Sequence, residues 1–333
     1  MKSALQSVKS SGNFIRIVLA LLTIQTGFGL YPVIAKKLGV GSEFNPLIFC
    51  MVRDASSFPV LVLLALISDG WLGFPKWKDC LVFVGLGICG IFLSQFFFLL
   101  GVSFAGANIA SIFQQLIPIW TTILTIITCT EDVPSFRRPS TWFIITGILF
   151  AISGAIEITL FTSTSQSTTN SQYPWLGYIF LTLNSGGTSV YIVCQKIFIF
   201  DKPKNYWRNH PIWVTTWSYL TGSIFISLSS LYYVTTPSAF FISQEEWLAI
   251  IYAIIITSNL CFILISWANS KTSATIVTAF WPFQVIPCFF GSYMLNGEEL
   301  NYFQYIGCVF VIIGLFAVVF GKFLEERRKN TET

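Results

Sequence analysis

Charged residues are scarce in this sequence. Aspartate, glutamate, lysine and arginine make up 10% of its 333 residues, against roughly a quarter in soluble domains. Hydrophobic residues make up 54%, and the mean hydropathy is +0.71. So low a charged fraction excludes an ordinary soluble domain, and the sequence therefore predicts a protein that crosses a membrane many times.

The residues that build most enzyme sites are also scarce. The one histidine, His210, precedes a proline, and the sequence has no HExxH, GxSxG or Walker motif and no clustered carboxylate pair. No catalytic residue, metal or cofactor is therefore predicted. The eight cysteines form no CxxC motif, which favours unpaired, inert thiols. A membrane-embedded enzyme and a channel remain the alternatives to a transporter, although no ring of like charges or filter motif is present.

Ten apolar segments are long enough to span a bilayer as helices. The first follows a basic N-terminus, as in a signal peptide, but it has no small-residue cleavage site and is interpreted as a membrane span. The predicted fold class is an all-α membrane protein with ten transmembrane helices. The segments cover residues 14–34, 46–68, 80–102, 106–129, 141–161, 174–198, 211–233, 247–267, 272–294 and 303–323.

The basic residues predict the orientation of the chain. If the N-terminus is cytoplasmic, sixteen of the nineteen lysine and arginine residues fall on or near the cytoplasmic side. Lys36 and Lys37 fall outside, and Arg53 lies within a span. This asymmetry is a strong positive-inside signal. We therefore predict a multi-pass protein with both termini in the cytoplasm, and we favour the plasma membrane over vacuolar or other endomembranes.

A polar stretch divides the chain into halves. TSTSQSTTNSQ, residues 162–172, separates the fifth and sixth segments and is typical of a flexible linker. The predicted domains are a five-helix repeat at 1–161, a polar linker at 162–173, a second five-helix repeat at 174–323 and a cytoplasmic tail at 324–333. Because five is odd, the second repeat must enter the membrane from the opposite side. Inverted repeats are a recurrent plan for secondary transporters, with the substrate site near the midplane.

The fourth and ninth segments look like copies of one another. Each has small and hydroxyl residues first, then proline within an apolar run, then an acidic pair, and Asn108 aligns with Thr275. In the fourth segment, polar residues recur at spacings of three or four, and such a stripe should face protein or water rather than lipid. The stripe comprises Asn108, Ser111, Gln115, Pro118 and Thr122.

A glycine-bearing segment follows each copy. Gly147 and Gly154 lie seven residues apart in the fifth segment, and Gly307 and Gly314 have the same spacing in the tenth. Seven residues make about two helical turns, so each pair lies on one face of its helix. The pattern predicts close contact with another helix.

Four stretches resemble one transporter family. They read NPLIFCMVRDA at 45–55, GANIASIFQQLIPIWTTIL at 106–124, VYIVCQKIFIF at 190–200, and KTSATIVTAFWPFQVIP through LNGEELNYFQYIGCVFVIIGLFAVVFGKFLEE at 271–326. In order and spacing they resemble the EamA-type transporters of the drug/metabolite transporter superfamily, most closely the plant nodulin-21-like, walls-are-thin type. The resemblance implies ten helices in inverted repeats around a central cavity that moves small organic solutes.

The resemblance also extends to single residues. Two departures stand out: the loop after the fourth segment is longer than the family pattern, and Pro282 and Pro287 flank the position where that pattern has one proline. The matching residues are the second-helix arginine, the fourth-helix proline, the glutamine that ends the sixth helix and the acidic residue after the ninth, which are Arg53, Pro118, Gln195 and Glu298.

Two adjacent charges lie inside the second span. Each costs roughly 2.5 to 3.5 kcal/mol there on insertion scales, so Arg53 and Asp54 should be paired or face water. Adjacent helical residues point in different directions, and we therefore expect each to find its partner on another helix. A role in gating or substrate contact and a structural ion pair both remain open.

Polar and aromatic residues within the spans are candidates to line a substrate cavity. Linking helices by hydrogen bonds and packing in helix interfaces are the alternatives. Prolines in three places predict helix kinks, which either serve rocking motions or are static. The cavity candidates are Asn108, Ser111, Gln114, Gln115, Asn184, Gln195, Asn259, Trp267, Thr278, Trp281 and Gln284, and the kink candidates are Pro118, Pro282 and Pro287.

These patterns predict a secondary transporter for a small organic metabolite that works by alternating access. Few cations lie in the membrane interior beyond Arg53, which argues against phosphorylated substrates. A neutral or zwitterionic solute, such as an amino acid, an auxin-like compound or a purine, is expected. The predicted partners are this solute and membrane lipid, with no nucleic acid, and a homodimer is left open.

Overall fold

The computed structural model of the protein describes residues 2–37, 46–105, 107–131, 138–161, 173–234, 244–297 and 302–332. All regular elements in these residues are helical, as expected of a chain that must pair its backbone groups without water. Residues 162–172 of the predicted linker and Glu298 lie outside the described residues. The α-helices are α1 (Lys2–Lys37), α2 (Pro46–Asp69), α3 (Trp77–Leu86), α4 (Ser94–Ala105), α5 (Ala107–Gln114), α6 (Ile117–Ile127), α7 (Pro139–Phe161), α8 (Pro174–Gln195), α9 (Pro211–Val234), α10 (Gln244–Tyr252), α11 (Phe262–Lys271), α12 (Ala274–Ala279), α13 (Val285–Asn296) and α14 (Tyr302–Glu332).

Seven helices in the described part of the chain are long and apolar enough to cross a bilayer, judged by length and composition. The segments predicted at 174–198 and 211–233 coincide with α8 and α9, which are not among the seven. Small and hydroxyl residues, such as NSGGTS in α8, lower their hydropathy. Within α14, Tyr305–Gly321 is a shorter apolar stretch. The seven are Phe14–Ile34, Leu47–Asp69, Trp77–Ala105, Ala110–Ile127, Pro139–Ile158, Glu246–Lys271 and Ala274–Leu295.

Helices α7 and α14 pack closely through glycine. A Cβ atom added to Gly147 would lie 2.6 Å from the carbonyl oxygen of Gly314, and one added to Gly154 would lie 2.4 Å from that of Gly307. No real Cβ atom tolerates such a distance, so only glycine fits here. The predicted close contact is confirmed, and this pairing of the glycines shows that the two helices run antiparallel.

The polar stripe of the fourth segment is buried in part. Gln115 and Pro118 are buried, Ser111 and Thr122 are half-buried, and the side chain of Asn108 lies outside the described residues. Gln115 and Thr125 are almost fully buried, whereas Ile123 and Ile127 on other faces of α6 are exposed. In the ninth segment, 61% of the residues in its most apolar stretch are buried, the largest share among the seven candidate spans. The fourth segment therefore presents part of its polar stripe to the interior of the bundle, and the ninth buries most of its apolar stretch there.

Three π-helical segments interrupt the α-helical pattern in the described residues. They are Gly87–Leu93, Lys196–Phe200 and Ala253–Cys261. Such widened turns change the direction of the side chains that follow and occur often at functional sites. In the third segment, Nδ2 of Asn259 donates to the carbonyl oxygen of Ile254 at 2.6 Å, five residues earlier. The sequence pattern did not predict these segments.

Candidate functional site

Both copies of the polar helix are interrupted near the middle of the bundle. Helix α5 ends at Gln114 and α6 begins at Ile117, with Pro118 in its first turn. A 3₁₀-helix, Trp281–Gln284, separates α12 from α13. Proline cannot donate a backbone hydrogen bond and clashes with the preceding turn, so a break is expected at Pro118 and within the 3₁₀-helix.

The three predicted prolines have different structural effects. Pro118 begins a helix, and Thr122 Oγ1 donates to its carbonyl oxygen at 2.8 Å. Pro282 lies in the 3₁₀-helix between α12 and α13, whereas Pro287 lies in the first turn of α13 and does not interrupt it. The helices are therefore interrupted at Pro118 and Pro282, α13 continues through Pro287, and the kinks proposed at these prolines stay predictions.

A chain of hydrogen bonds joins the two interrupted helices. Trp281 Nε1 donates to Gln114 Oε1 at 3.2 Å, and Gln114 Nε2 donates to Asn184 Oδ1 at 3.4 Å. Asn184 Nδ2 in turn donates to the carbonyl oxygen of Ser94 at 2.8 Å, and Ser94 Oγ lies 2.8 Å from Thr188 Oγ1. Three predicted cavity residues therefore meet, and the polar chain continues from α12–α13 through α5 and α8 to α4.

The bond between Trp281 and Gln114 links equivalent positions of the two copies. The register that aligns Asn108 with Thr275 also aligns Gln114 with Trp281. Residues that are equivalent in two repeats can touch each other only near the axis that relates the repeats. This pair therefore marks the centre of the bundle.

Aromatic rings surround this centre. The ring of Phe28 on α1 lies 6.1 Å from that of Trp281 and 6.1 Å from that of Phe262. Phe262 also contacts Tyr219 at 5.1 Å and Tyr191 at 6.2 Å between ring centroids. These separations are typical of favourable aromatic pairs. The rings come from α1, α8, α9, α11 and the 3₁₀-helix, so both halves of the chain contribute.

Arg53 and Asp54 form an ion pair with each other, and the expectation that each pairs on another helix was wrong for Asp54. Arg53 Nε donates to Asp54 Oδ1 at 2.9 Å. The long arginine side chain folds back to the nearest carboxylate because an unpaired charge is costly in this interior. Arg53 Nη2 also donates to Gln95 Oε1 on α4, so its expected partner on another helix is present. Asp54 is fully buried, and its Oδ2 has no hydrogen-bond partner among the described residues.

A second polar cluster lies at the end of α8. Gln195 Nε2 donates to Ser266 Oγ at 3.1 Å, and Asn269 Nδ2 donates to Gln195 Oε1 at 3.3 Å. Thr215 Oγ1 and Ser266 Oγ lie 2.8 Å apart. The cluster ties α8, α9 and α11 together within the second half of the chain, which places Gln195 in a helix-linking position.

The other cavity candidates bond within their own segment or pack against neighbours. Gln115 Nε2 donates to the carbonyl oxygen of Ser111 at 3.1 Å, and Thr278 Oγ1 donates to that of Ala274 at 3.2 Å. Trp267 packs against the hydrophobic core, and the backbone of Gln284 touches α1 beside Gly29. The side chain of Asn108 lies outside the described residues. None of these is joined to the Trp281–Gln114 chain by a hydrogen bond in the described residues, and their cavity roles stay predictions.

Sequence reasoning missed two buried polar residues. Ser94 is the acceptor for Asn184, and Gln25 on α1 is fully buried. The amide within LALLTIQTGFG was a visible signal, because a lone glutamine in an apolar run is costly there. Ser94 gave no comparable signal, since serine is common in membrane helices.

The described residues contain no group of three or more histidine, cysteine, aspartate or glutamate side chains that could hold a metal ion. His210 Nδ1 lies 3.0 Å from Asp69 Oδ2, and both side chains are partly exposed. This pair lies at the end of the bundle where α2 finishes and α9 begins, away from the polar chain at the centre.

Comparisons with known proteins identify the family. Residues 15–159 and 175–320 each match the EamA-like transporter family. The chain is 26% identical to WAT1-related protein At3g18200 of Arabidopsis thaliana, over 96% of this chain and 85% of that protein. It is 26% identical to Protein WALLS ARE THIN 1 of the same plant, over 94% and 85%.

A solved crystal structure of a protein shares the fold, with a TM-score of 0.68 over 90% of this chain and 97% of that one, at 16% identity. The family match and the curated relatives confirm the resemblance seen in the sequence, and the family model matches the chain twice, once in each half. The chain is a multi-pass membrane protein that belongs to the EamA-like transporter family.

Proposed function

We propose that this protein is a secondary transporter that moves a small neutral or zwitterionic organic metabolite by alternating access between two inverted five-helix repeats. All ten helical segments cross the membrane in this proposal, α8, α9 and α14 included. The antiparallel packing of α7 against α14 supports the inversion, because these helices are the fifth of each repeat. An even number of spans puts both termini on the same side of the membrane, and the basic residues favour the cytoplasmic side.

The hydrogen bond from Trp281 Nε1 to Gln114 Oε1 is the observation that carries this proposal. It joins the breaks of two equivalent helices at the axis between the repeats. Broken helices at the midplane of inverted repeats are where transporters of this plan bind substrate. A polar bond between two neutral groups is also readily exchanged for bonds to a solute, since neither partner leaves a charge behind.

The chemistry of the centre supports an uncharged or zwitterionic solute. The polar groups that meet there are amides, hydroxyls and an indole. The charges of Arg53 and Asp54 compensate each other. A phosphorylated solute carries two negative charges and needs several cationic partners. An amino acid, an auxin-like compound or a purine fits the described groups better.

Uptake into proteoliposomes tests the proposal. Purified protein is reconstituted and offered labelled amino acids, indole acids, purines and a sugar phosphate, with and without a pH gradient. We expect saturable uptake of a member of the first three classes and none of the sugar phosphate. Saturable sugar-phosphate uptake would overturn the substrate class, and single-channel currents would overturn carriage itself.

A variant and its control test whether transport depends on the proposed centre. Gln114→Leu removes the acceptor for Trp281 and should lower uptake at least tenfold at equal folded protein. Thr146→Val is the matched control, because Thr146 is exposed and bonds only its own helix, at the carbonyl oxygen of Trp142. Equal uptake by the two variants would move the site elsewhere.

A further inference from the structure

Gln25 is a buried amide with no hydrogen bonds in the described part of the chain. Its side chain is fully buried in α1, and neither Oε1 nor Nε2 has a partner there. The neighbouring hydroxyls differ, since Thr23 and Thr26 bond carbonyl oxygens one turn earlier at 2.9 and 2.8 Å. Gln25 is thus the polar residue in this stretch whose groups α1 itself does not satisfy.

Such an amide is expensive unless something binds it. Each unpaired buried donor or acceptor costs about 1–3 kcal/mol, and bulk water does not reach a fully buried side chain. Leucine at this position would avoid that cost and still fill the space. The structure therefore points to a ligand for the amide rather than to a role in packing.

The position of Gln25 on the helix places it on the same face of α1 as Phe28, which contacts the aromatic centre. Residues three or four apart share one face of a helix, so Gln25 lies on the same stripe as Leu21 and Phe28. Leu21 is fully buried, and the ring of Phe28 lies 6.1 Å from Trp281 and 6.1 Å from Phe262. This stripe of α1 thus faces the rings that surround the Gln114–Trp281 bond.

Gln25 differs from Gln114 in having hydrogen-bonding groups that remain available. Gln114 already uses Oε1 to accept from Trp281 and Nε2 to donate to Asn184. Gln25 still has one acceptor and a donor group available. A complementary ligand group must both donate and accept, and it must be uncharged, since an amide does not neutralise a buried charge.

We propose that Gln25 is a specificity-determining residue that binds a neutral donor–acceptor group, such as an amide, of the transported solute beside the rings of Phe28 and Trp281. This inference rests on the proposed transport function and adds a preference for solutes that carry such a group. The same bonding chemistry could be supplied by an ordered water molecule. A water would make Gln25 structural, so the test must separate the two sources.

Competition by paired solutes provides that test. Uptake by wild-type protein is measured against indole-3-acetamide and its N,N-dimethyl amide, adenine and 6-dimethylaminopurine, and L-glutamine and L-methionine. The members of each pair differ in one neutral donor–acceptor group. We expect wild-type protein to prefer the first member of at least one pair by tenfold or more.

The variant Gln25→Leu should abolish that preference. The apparent KM for the preferred solute should rise at least tenfold, while the KM for its partner should change less than twofold. Gln25→Asn keeps the amide on a shorter side chain and should restore part of the preference. Thr23→Val is the control on the same helix and should leave the preference intact. The thermal midpoint of Gln25→Leu should equal or exceed that of wild type, because an unpaired amide is removed.

Each contrary outcome has one meaning. Absence of any pair preference in wild-type protein, or its persistence in Gln25→Leu, would overturn the assignment of Gln25. A lowered thermal midpoint in Gln25→Leu with unchanged preference would identify a bound water instead. If wild-type protein shows no saturable uptake and instead gives single-channel currents, the proposed transport function itself is overturned. This outcome differs from failure of the Gln25 assignment alone, in which saturable uptake persists.

Discussion

Adding one methyl group at Gly154 should separate the two helices that join the repeats. A Cβ atom there would lie 2.4 Å from the carbonyl oxygen of Gly307 and 2.8 Å from both Phe310 Cβ and Val311 N. Two of these atoms belong to the backbone of α14, so no side-chain rotation relieves the contact. The helices must move apart, and overpacking of this kind typically costs about 1–3 kcal/mol.

Gly186→Ala provides the matched control for Gly154→Ala. Both positions lie inside helices, but a Cβ atom at Gly186 meets nothing within 4 Å. Alanine is favoured over glycine in a helix by about 1 kcal/mol, and this gain is common to both variants. The difference between them therefore isolates the cost of the contact, which we expect to be about 1–3 kcal/mol.

Thermal unfolding of the purified protein in detergent, followed by tryptophan fluorescence, measures this difference. For chains of 150–250 residues, 1 kcal/mol shifts Tm by about 2–4 °C, and the same order is expected here. Gly154→Ala should therefore melt several degrees below Gly186→Ala. Equal melting temperatures would refute the close packing of α7 on α14.

Three further substitutions test contacts elsewhere. Arg53→Gln leaves the buried carboxylate of Asp54 unpaired and should cost about 3–5 kcal/mol of folding stability, measured as a lower folded yield and a lower Tm. The double variant Arg53→Gln/Asp54→Asn should recover most of this loss. No recovery would contradict the ion pair. Glu131 Oε1 accepts from the backbone N–H of Thr275 at 3.1 Å, in the first turn of α12. Glu131→Ala should therefore lower the folding stability by about 1 kcal/mol, as removal of a helix cap does, whereas Glu131→Gln keeps an acceptor and should lower it less. Equal Tm values for the two variants would refute the cap. Lys196 Nζ donates to two carbonyl oxygens at the end of α11, at 3.0 and 2.8 Å, and Lys196→Met should lower Tm more than Lys196→Arg, because the arginine keeps the charge beside the helix C-terminus.

Features that depend on local spacing could be predicted from the sequence. The glycines of the fifth and tenth segments share one face because their spacing is two helical turns, and the structure places them in contact. The inward orientation of the fourth segment followed from the cost of turning Gln115 toward lipid. The break at Pro118 followed from the missing backbone donor.

Features that depend on side-chain reach or on the third dimension could not be predicted in this way. Helical geometry separates adjacent residues, yet Arg53 has enough rotatable bonds to reach back to Asp54. The π-helical segments at Gly87–Leu93 and Ala253–Cys261 coincide with no periodic pattern in the sequence. The contact of Phe28 with Trp281, on which the proposed role of Gln25 depends, joins residues far apart in the sequence and could not be predicted from it.

The divergence of the repeats at their central pair follows from hydrogen-bond chemistry. Equivalent residues of two repeats meet near the axis that relates them, so identical copies would bring two identical side chains together. Two tryptophans would offer two donors and no acceptor, since the indole has only an N–H group. Because the two copies differ at this position, the single indole donor of Trp281 meets the amide oxygen of Gln114, and the amide nitrogen of Gln114 bonds Asn184.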